Sequence, residues 1–350
     1  MERPLNFAIV GCGVIAPAHA RSVAEIPGCR LVAACDTIPA KAEALARQFS
    51  VEAHTDYAAL LRRPEVDVVI IATPSGTHAE LGQAALRAGK HVLVEKPMDI
   101  SLDRADALIA AAREAGLILG VVSQHRFDPA VVALRQAAQA GRLGQLNFGA
   151  AHTKWYRTQA YYDSAAWRGT WALDGGGALM NQSIHYVDVL QYLMGPVAEV
   201  SAYTANRAHA RIEVEDVAVA ALKFASGALG LIEANTAAYP GLSARLDIYG
   251  TDGLVVIEND QIKEWRLRSG EAPAAEVMAG TTTTATSSAD IFFLGHKRQI
   301  QDLAGAIRAG RPPQVDGIEG RKPLEIILAI YTSARTGRPA AIGAQPAPPG

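Results

Sequence analysis

Two residues of this chain have the type and setting for proton chemistry. Lys96 lies in Glu95-Lys96-Pro97, directly behind the apolar run 91–94. A lysine at the carboxyl end of a strand, aimed into a crevice, is partly desolvated. Its pKa then falls toward neutrality, where it can serve proton transfer. A solvent-facing lysine is the plain alternative. His185 lies in Gly175-Gly176-Gly177-Ala178-Leu179-Met180-Asn181-Gln182-x-x-His185-x-x-Asp188. On a regular helix Asn181, His185 and Asp188 share one face through i, i+4, i+7 spacing. Histidine is the side chain best matched to proton transfer near neutral pH. Asp188 either orients His185 or caps a loop. A metal site competes with this reading, but it lacks further ligands and any cysteine at suitable spacing, so no metal is expected.

A second group of residues suits a dinucleotide. Gly11-x-Gly13-x-x-Ala16 stands between an apolar strand, 5–10, and a helix. Gly11 permits a tight turn, Gly13 lets the backbone approach a pyrophosphate, and Ala16 allows close helix–strand packing. The helix N-terminus then faces the phosphates. Asp36 ends the next strand, 31–35, at the distance where a carboxylate accepts bonds from the ribose hydroxyls of NAD and repels a 2′-phosphate. Thr37 and Lys41 still leave room for NADP. Behind the run 66–72 come Thr73, Pro74 and Ser75, placed to flank the nicotinamide ribose. His78 reads first as a residue that caps or packs at a helix start.

Aromatic and basic residues gather in Trp155-Tyr156-Arg157, Tyr161-Tyr162-Asp163-Ser164 and Trp167-Arg168-Gly169-Thr170-Trp171. Aromatic faces beside hydrogen-bonding groups suit a sugar ring or a base; a rigid surface loop is the alternative. Gly295-His296-Lys297 opens a helix whose basic residues meet either an anionic group or solvent.

These residues need a frame. Apolar runs at 5–10, 31–35, 66–72, 91–94 and 117–122 alternate with helical stretches, including 78–88 closed by Gly89 and 103–115, which implies a parallel sheet covered on both faces. Beyond Gln124 the pattern changes. A helix over 130–140 is followed by alternating strands, among them 197–204, 217–224, 229–234 and 244–248, with a hairpin turn at Ala225-Ser226-Gly227 and a helix over 182–194. The expected organisation is a Rossmann NAD-binding domain over 1–124 and a substrate-binding α+β domain with a large, mostly antiparallel sheet over 125–338. The loop 269–290 reads as weakly structured, and 339–350 as a flexible tail.

With 350 residues, 49% hydrophobic and 19% charged, the composition is that of a globular protein. A net charge of −2 gives no basic field for nucleic acid or an anionic membrane. No apolar run reaches the ~18 residues of a membrane span, and the N-terminus lacks the pattern of a signal peptide, so a cytoplasmic protein is expected. Cys12, Cys29 and Cys35, an odd set without CxxC spacing, are expected as reduced thiols.

The sequences GCGVIA with Asp36, ATPSGTH, EKP, and GGGALMNQSIH with Asp188 together resemble the Gfo/Idh/MocA oxidoreductases, over residues 5 to 338. The resemblance implies a Rossmann domain joined to an open-sheet domain that forms dimers or tetramers. It implies NAD as cofactor, Lys96 as the catalytic lysine, often before a cis proline bond, and His185 as the proton acceptor. Many members carry Asp where this chain has Asn181, which leaves Lys96 and His185 as the pair. The stretch WRGTW…GGGALMNQ…HYVD, with YYDS before it and Ile212–Asp216 after it, resembles the branch that oxidises C3 of UDP-linked N-acetyl sugars and their uronic acids. Cofactor contacts are then expected from Gly11, Gly13, Val14, Ile15, Asp36, Thr37, Thr73, Pro74, Ser75, His78, Glu95, Lys96, Gln124, Trp167 and Arg168. Substrate contacts are expected from Lys96, Arg157, Tyr161, Asn181, His185 and Tyr239. The partner implied is a sugar or nucleotide sugar. The alternatives are a free monosaccharide or inositol dehydrogenase and a cofactor-bound sensor without turnover.

Overall fold

The computed structural model describes residues 3–279 and 293–343. The chain forms two compact units. The first takes the described residues within Met1–Phe127, Ala172–Gly175 and Thr286–Arg321; the second takes those within Asp128–Trp171, Gly176–Ala285 and Lys322–Gly350.

In the first unit, strands β1 (Leu5–Val10), β2 (Cys29–Cys35), β3 (Glu52–His54), β4 (Val68–Ile71), β5 (His91–Val94) and β6 (Leu119–Val121) form one sheet in the order β3-β2-β1-β4-β5-β6. Every pair is parallel. The strands after β1 lie on opposite sides of it, so β1 and β4 meet at the switch point where open parallel sheets bind ligands beyond their carboxyl ends. The apolar runs become buried strands because both sheet faces are covered. Strand β3 (Glu-Ala-His) escaped the sequence reading because it has no apolar run to reveal it, so Val68–Ile71 is the fourth strand and not the third.

Phe7 and Ile9 of β1 pack in one core with Ala16, Ala20 and Val23 of the helix Ala16–Ala24 and with Ile300 and Leu303 of the helix Phe293–Ala309. Gln299 of that last helix ties in the end of β6, accepting from the Ser123 amide at 2.9 Å and donating to the Val121 carbonyl at 2.7 Å. The first unit therefore also gathers residues from beyond 124. The helix Phe293–Ala309 completes that core with its apolar side.

In the second unit, β7 (Leu146–Lys154), β8 (Val197–Ala205), β9 (Val217–Phe224), β10 (Leu229–Asn235), β11 (Arg245–Gly250), β12 (Gly253–Glu258), β13 (Gln261–Leu267) and β14 (Ala340–Ala341) form a sheet in the order β13-β12-β11-β7-β10-β9-β8-β14. The β7–β10 pair is parallel and the others antiparallel. Buried and exposed residues alternate along β9, the mark of a sheet with one covered face. Two expectations change. Ala340–Ala341 of the supposed tail pairs with the free edge of β8, while 344–350 lie outside the described residues. Within 269–290, Ala275–Ala279 is a short helix, and 280–290, including TTTTATSS, lie outside the described residues. No helix among the described residues is long and apolar enough to cross a membrane.

Candidate active site

The first unit carries a candidate cofactor site that begins at the turn behind β1. Gly11 has φ +92°, and a Cβ there would stand 2.4 Å from the Ala72 carbonyl oxygen at the end of β4. Only glycine fits between the two strand ends. Gly13 differs: a Cβ built on it meets nothing within 4 Å. The turn leaves an open cradle at that backbone, the space a pyrophosphate needs. Val14 is 80% exposed, Ile15 is half-buried and Ala16 is buried against the core. Asp36 serves two turns at once. One carboxylate oxygen accepts the Cys12 amide at 2.8 Å and the other the Ile38 amide at 2.8 Å. Each oxygen keeps a second lone pair for a ribose hydroxyl. Thr37 and Lys41 are exposed beside it. The three cysteines are free thiols. Burial, then the charges of Asp36 and Cys35, push the Cys12 thiol up to about 12.

Behind β4 the Thr73 and Thr77 hydroxyls meet at 2.7 Å, and Ser75 is buried. His78 is buried with one ring nitrogen 2.8 Å from the Pro97 carbonyl oxygen and the other 2.8 Å from that of Thr73. It brackets the loops behind β4 and β5, which is the packing role read first from the sequence. Burial pushes its pKa down. The Lys96–Pro97 peptide is cis.

Glu95 is buried and meets three protein groups. Its Oε1 lies 2.8 Å from His19 Nε2 and 3.4 Å from His296 Nε2, and its Oε2 accepts the Lys96 amide at 3.0 Å. Burial acts to raise its pKa, but the bonds from His19 and His296 hold it well below the usual carboxylate range. Burial pushes His19 down, so a neutral ring donates to an ionised carboxylate. These three residues have the chemistry to hold a metal ion, yet the 2.8 Å contact is a hydrogen-bond length. His296 and Lys297 form no free basic patch: the first faces Glu95, and the second pairs with Glu25 at 2.9 Å. Gln124 is buried, and its side-chain oxygen has no hydrogen-bond partner among the described residues.

The second unit carries His185. Its helix starts as a π-helical turn, Ala178–Ser183, and continues as the α-helix Ile184–Met194. The regular i, i+4, i+7 face expected for Asn181, His185 and Asp188 is therefore interrupted: Asn181 lies in the wider π turn, and His185 and Asp188 on the α-helix. Both of the latter are buried. π turns of this kind occur often at functional sites.

The helix start is held from outside. Glu215, two residues before β9, accepts the Leu179 amide at 2.8 Å and the Tyr331 hydroxyl at 3.0 Å on one oxygen, and the Gly177 amide at 3.1 Å on the other. Burial pushes its pKa up to about 7, against the pull of these bonds. The glycines now have a reason. A Cβ on Gly177 would stand 1.8 Å from the Glu215 carbonyl oxygen, and one on Gly176 would stand 2.1 Å from the Tyr331 hydroxyl. Sequence reading quoted Ile212–Asp216 without giving Glu215 a role. The signal was the glycine run, which calls for a close neighbour without saying which.

Beside that turn stands a polar cluster. Arg157 donates to the Gln182 side-chain oxygen at 2.8 Å and stacks on Trp155 and Tyr161. Arg168 donates to the Tyr161 hydroxyl at 2.7 Å and stacks on Tyr161 and Trp167. Gln182 donates to Tyr161 and to the Asn181 side-chain oxygen, at 2.9 and 2.8 Å. Neither arginine pairs with a carboxylate among the described residues, and the buried Arg168 Nε has no partner there. Tyr239 stands apart from this cluster, 81% exposed, with its ring edge-on to Tyr156. Gln182 was missed from sequence because its place depends on the π turn.

A parallel six-stranded sheet in this order, a glycine cradle at its switch point, an acid, Asp36, directly behind β2 and a separate α+β unit bearing a buried histidine define the class: an oxidoreductase whose cofactor is NAD. The chain belongs to the Gfo/Idh/MocA oxidoreductase family. That family's NAD-binding Rossmann model matches residues 5–123, and its C-terminal domain model matches residues 131–256. The chain is 34% identical to the WlbA dehydrogenase from Bordetella pertussis, solved with NADH and UDP-GlcNAcA, with a TM-score of 0.90 over 99% of each chain. The WlbA dehydrogenase from Chromobacterium violaceum, solved with the same two ligands, is likewise 34% identical, with a TM-score of 0.88 over 99% of this chain and 98% of its own. The scyllo-inositol 2-dehydrogenase (NAD(+)) of Bacillus subtilis is 29% identical over 97% of this chain and 96% of its own.

Proposed function

We propose that this protein oxidises a secondary ring alcohol, at C3, of an anionic nucleotide-linked sugar. The observation that carries the reading is the Arg157–Tyr161–Arg168 cluster. Two guanidinium groups held by aromatic rings and amides, without a carboxylate among the described residues, favour an anionic ligand such as a diphosphate or a uronate. A neutral inositol gives them nothing to neutralise. The likeness to WlbA dehydrogenases solved with UDP-GlcNAcA supports the same class. The likeness to an inositol dehydrogenase favours the second reading, a polyol dehydrogenase.

NAD, held by the Gly11–Gly13 turn and Asp36, would supply the hydride acceptor for the alcohol carbon. His185 takes the hydroxyl proton as general base, so that the C–H electron pair leaves as hydride and the O–H pair closes the carbonyl. Lys96 donates a hydrogen bond to the same oxygen and stabilises its developing negative charge. Its backbone is held by Glu95 and by the bracket of His78. Tyr161 and Asn181 orient the ring.

The test is a panel of UDP-GlcNAcA, UDP-GlcNAc, free N-acetylglucosamine and scyllo-inositol with NAD, followed by absorbance of reduced nicotinamide. Turnover confined to the UDP sugars, with Arg157→Ala raising KM for UDP-GlcNAcA, agrees with the proposal. Turnover confined to scyllo-inositol refutes it in favour of the polyol reading.

A homo-oligomer built on the open sheet belongs to the same proposal. Tyr203 and Val219 are paired across β8 and β9, Leu229 on β10 shares their face, and all three are exposed. Apolar residues grouped this way mark a partner surface. Light scattering at micromolar concentration is expected to give the mass of a dimer or tetramer; the mass of one chain would refute it.

A further inference from the structure

We infer that Glu215 is the positioning residue of the helix that carries His185, and that its carboxylate, not a cap of the helix's own, fixes where that helix begins. The inference rests on the reading of His185 as the base. A helix N-terminus leaves its first amides without intrahelical partners, and a π turn, bonded i to i+5, leaves one more than an α turn. Here the residue before the turn, Gly177, offers no side chain to cap them. Glu215 reaches in from a different segment and takes two of those amides, Gly177 and Leu179, while its own carbonyl oxygen accepts the amide between them, Ala178, at 3.0 Å.

Three donors converge on this one carboxylate: two amides and the Tyr331 hydroxyl. Only the ionised form accepts from all three at once. A protonated carboxyl, or an amide in its place, turns a donor toward donors and must release at least one. The environment nevertheless resists the charge, since burial raises the carboxyl pKa to about 7. A group that served stability alone would be better replaced by an uncharged one of the same shape. What the carboxylate achieves is register: the helix start is pinned to the strand β9 through Glu215 and to the helix Gly317–Thr336 through Tyr331. His185 follows two residues after the π turn ends. The glycines at 177 and 176 leave room for the backbone carbonyl of Glu215 and for the Tyr331 hydroxyl to approach.

Glu215→Gln is the central variant, with Glu215→Asp as the conservative one. Three measurements on the full chain separate the outcomes: hydrogen exchange of the 176–185 segment, thermal unfolding at pH 8, and steady-state kinetics with NAD and UDP-GlcNAcA. Glu215→Gln is expected to raise exchange in 176–185 by about tenfold or more, to leave the unfolding midpoint no lower, and to leave KM for NAD unchanged. Its kcat is expected to fall by about 10²-fold, the cost of misplacing a reacting group by about 1 Å. Glu215→Asp, which keeps the charge, should recover part of both losses. Unchanged exchange in 176–185 overturns the inference whatever the activity. A loss of kcat matched by a lower midpoint also overturns it, because the residue is then merely structural. A wild type inactive on every sugar, with exchange raised as expected in Glu215→Gln, sinks the functional reading and leaves the positioning role standing.

Discussion

Gly11 and Gly13 belong to one motif, yet the structure assigns their substitution opposite consequences. Alanine at 11 puts its Cβ 2.4 Å from the Ala72 oxygen, 2.6 Å from its carbonyl carbon and 2.8 Å from the Thr73 nitrogen. All three obstacles are backbone, so the junction of β1 and β4 must move. The positive φ costs a further ~1–2 kcal/mol. A total of about 3 kcal/mol or more is expected, the range of a backbone lesion in a core. Alanine at 13 meets nothing within 4 Å and adopts no positive φ. The apo protein should gain ~0.4–1 kcal/mol from the stiffer unfolded chain. Its methyl group, however, takes the space where a pyrophosphate meets the backbone. A loss of about 10- to 100-fold in NAD affinity follows, about 1.4–2.8 kcal/mol. Thermal unfolding with and without NAD reads both effects, since a ligand at 100 times its Kd stabilises by about 2.7 kcal/mol. Gly11→Ala should unfold early without ligand, and Gly13→Ala should unfold late without ligand and respond weakly to NAD. Wild-type NAD affinity in Gly13→Ala, measured by calorimetric titration, would refute the reasoning, as would a wild-type midpoint in Gly11→Ala.

Three further outcomes are expected. Lys96→Ala and His185→Ala should both bind NAD normally and lose turnover, by about 10²–10³ for the lost donor and ~10²–10⁴ for the lost base; near-wild-type rates in His185→Ala across the pH range would remove it from the mechanism. Asp36→Ala should narrow the preference for NAD over NADP, read as the ratio of kcat/KM values, because the carboxylate no longer repels a 2′-phosphate; an unchanged ratio would count against that role. Glu215 should tilt the pH dependence of stability: its folded pKa is raised from the usual 4.5 to about 7, so its contribution is fully present below 4.5 and is lost as pH rises through 7, a change of about 3 kcal/mol. Denaturant titrations of wild type and Glu215→Gln from pH 4 to 8 should show the variant lacking that decline, and parallel curves would refute the assignment.

Much of the first unit was legible in the sequence because its signals are local. An apolar run followed by Gly11, Gly13 and Ala16, with an acid at the end of the next strand, dictates a strand, a turn and a helix within one stretch of chain, and β1, β2, β4 and β5 appear where those runs lie. The hairpin of β9 and β10 is equally local. What was not legible depended on partners distant in the chain. The helix Phe293–Ala309 joined the first core because Ile300 and Leu303 complete a surface that no neighbouring residue in sequence defines. The buried partners of Glu95, His19 and His296, come from two other segments. The helix face of Asn181, His185 and Asp188 was drawn with 3.6-residue periodicity, and the fold inserted a π turn. That turn is set by Glu215 and Tyr331, which lie 38 residues beyond Gly177 and 116 beyond Glu215 respectively. Local periodicity determines which segments become strands and helices. Where a helix starts, and which buried charges face one another, is decided only when the tertiary fold brings distant donors and acceptors out of water together, where each must find a partner.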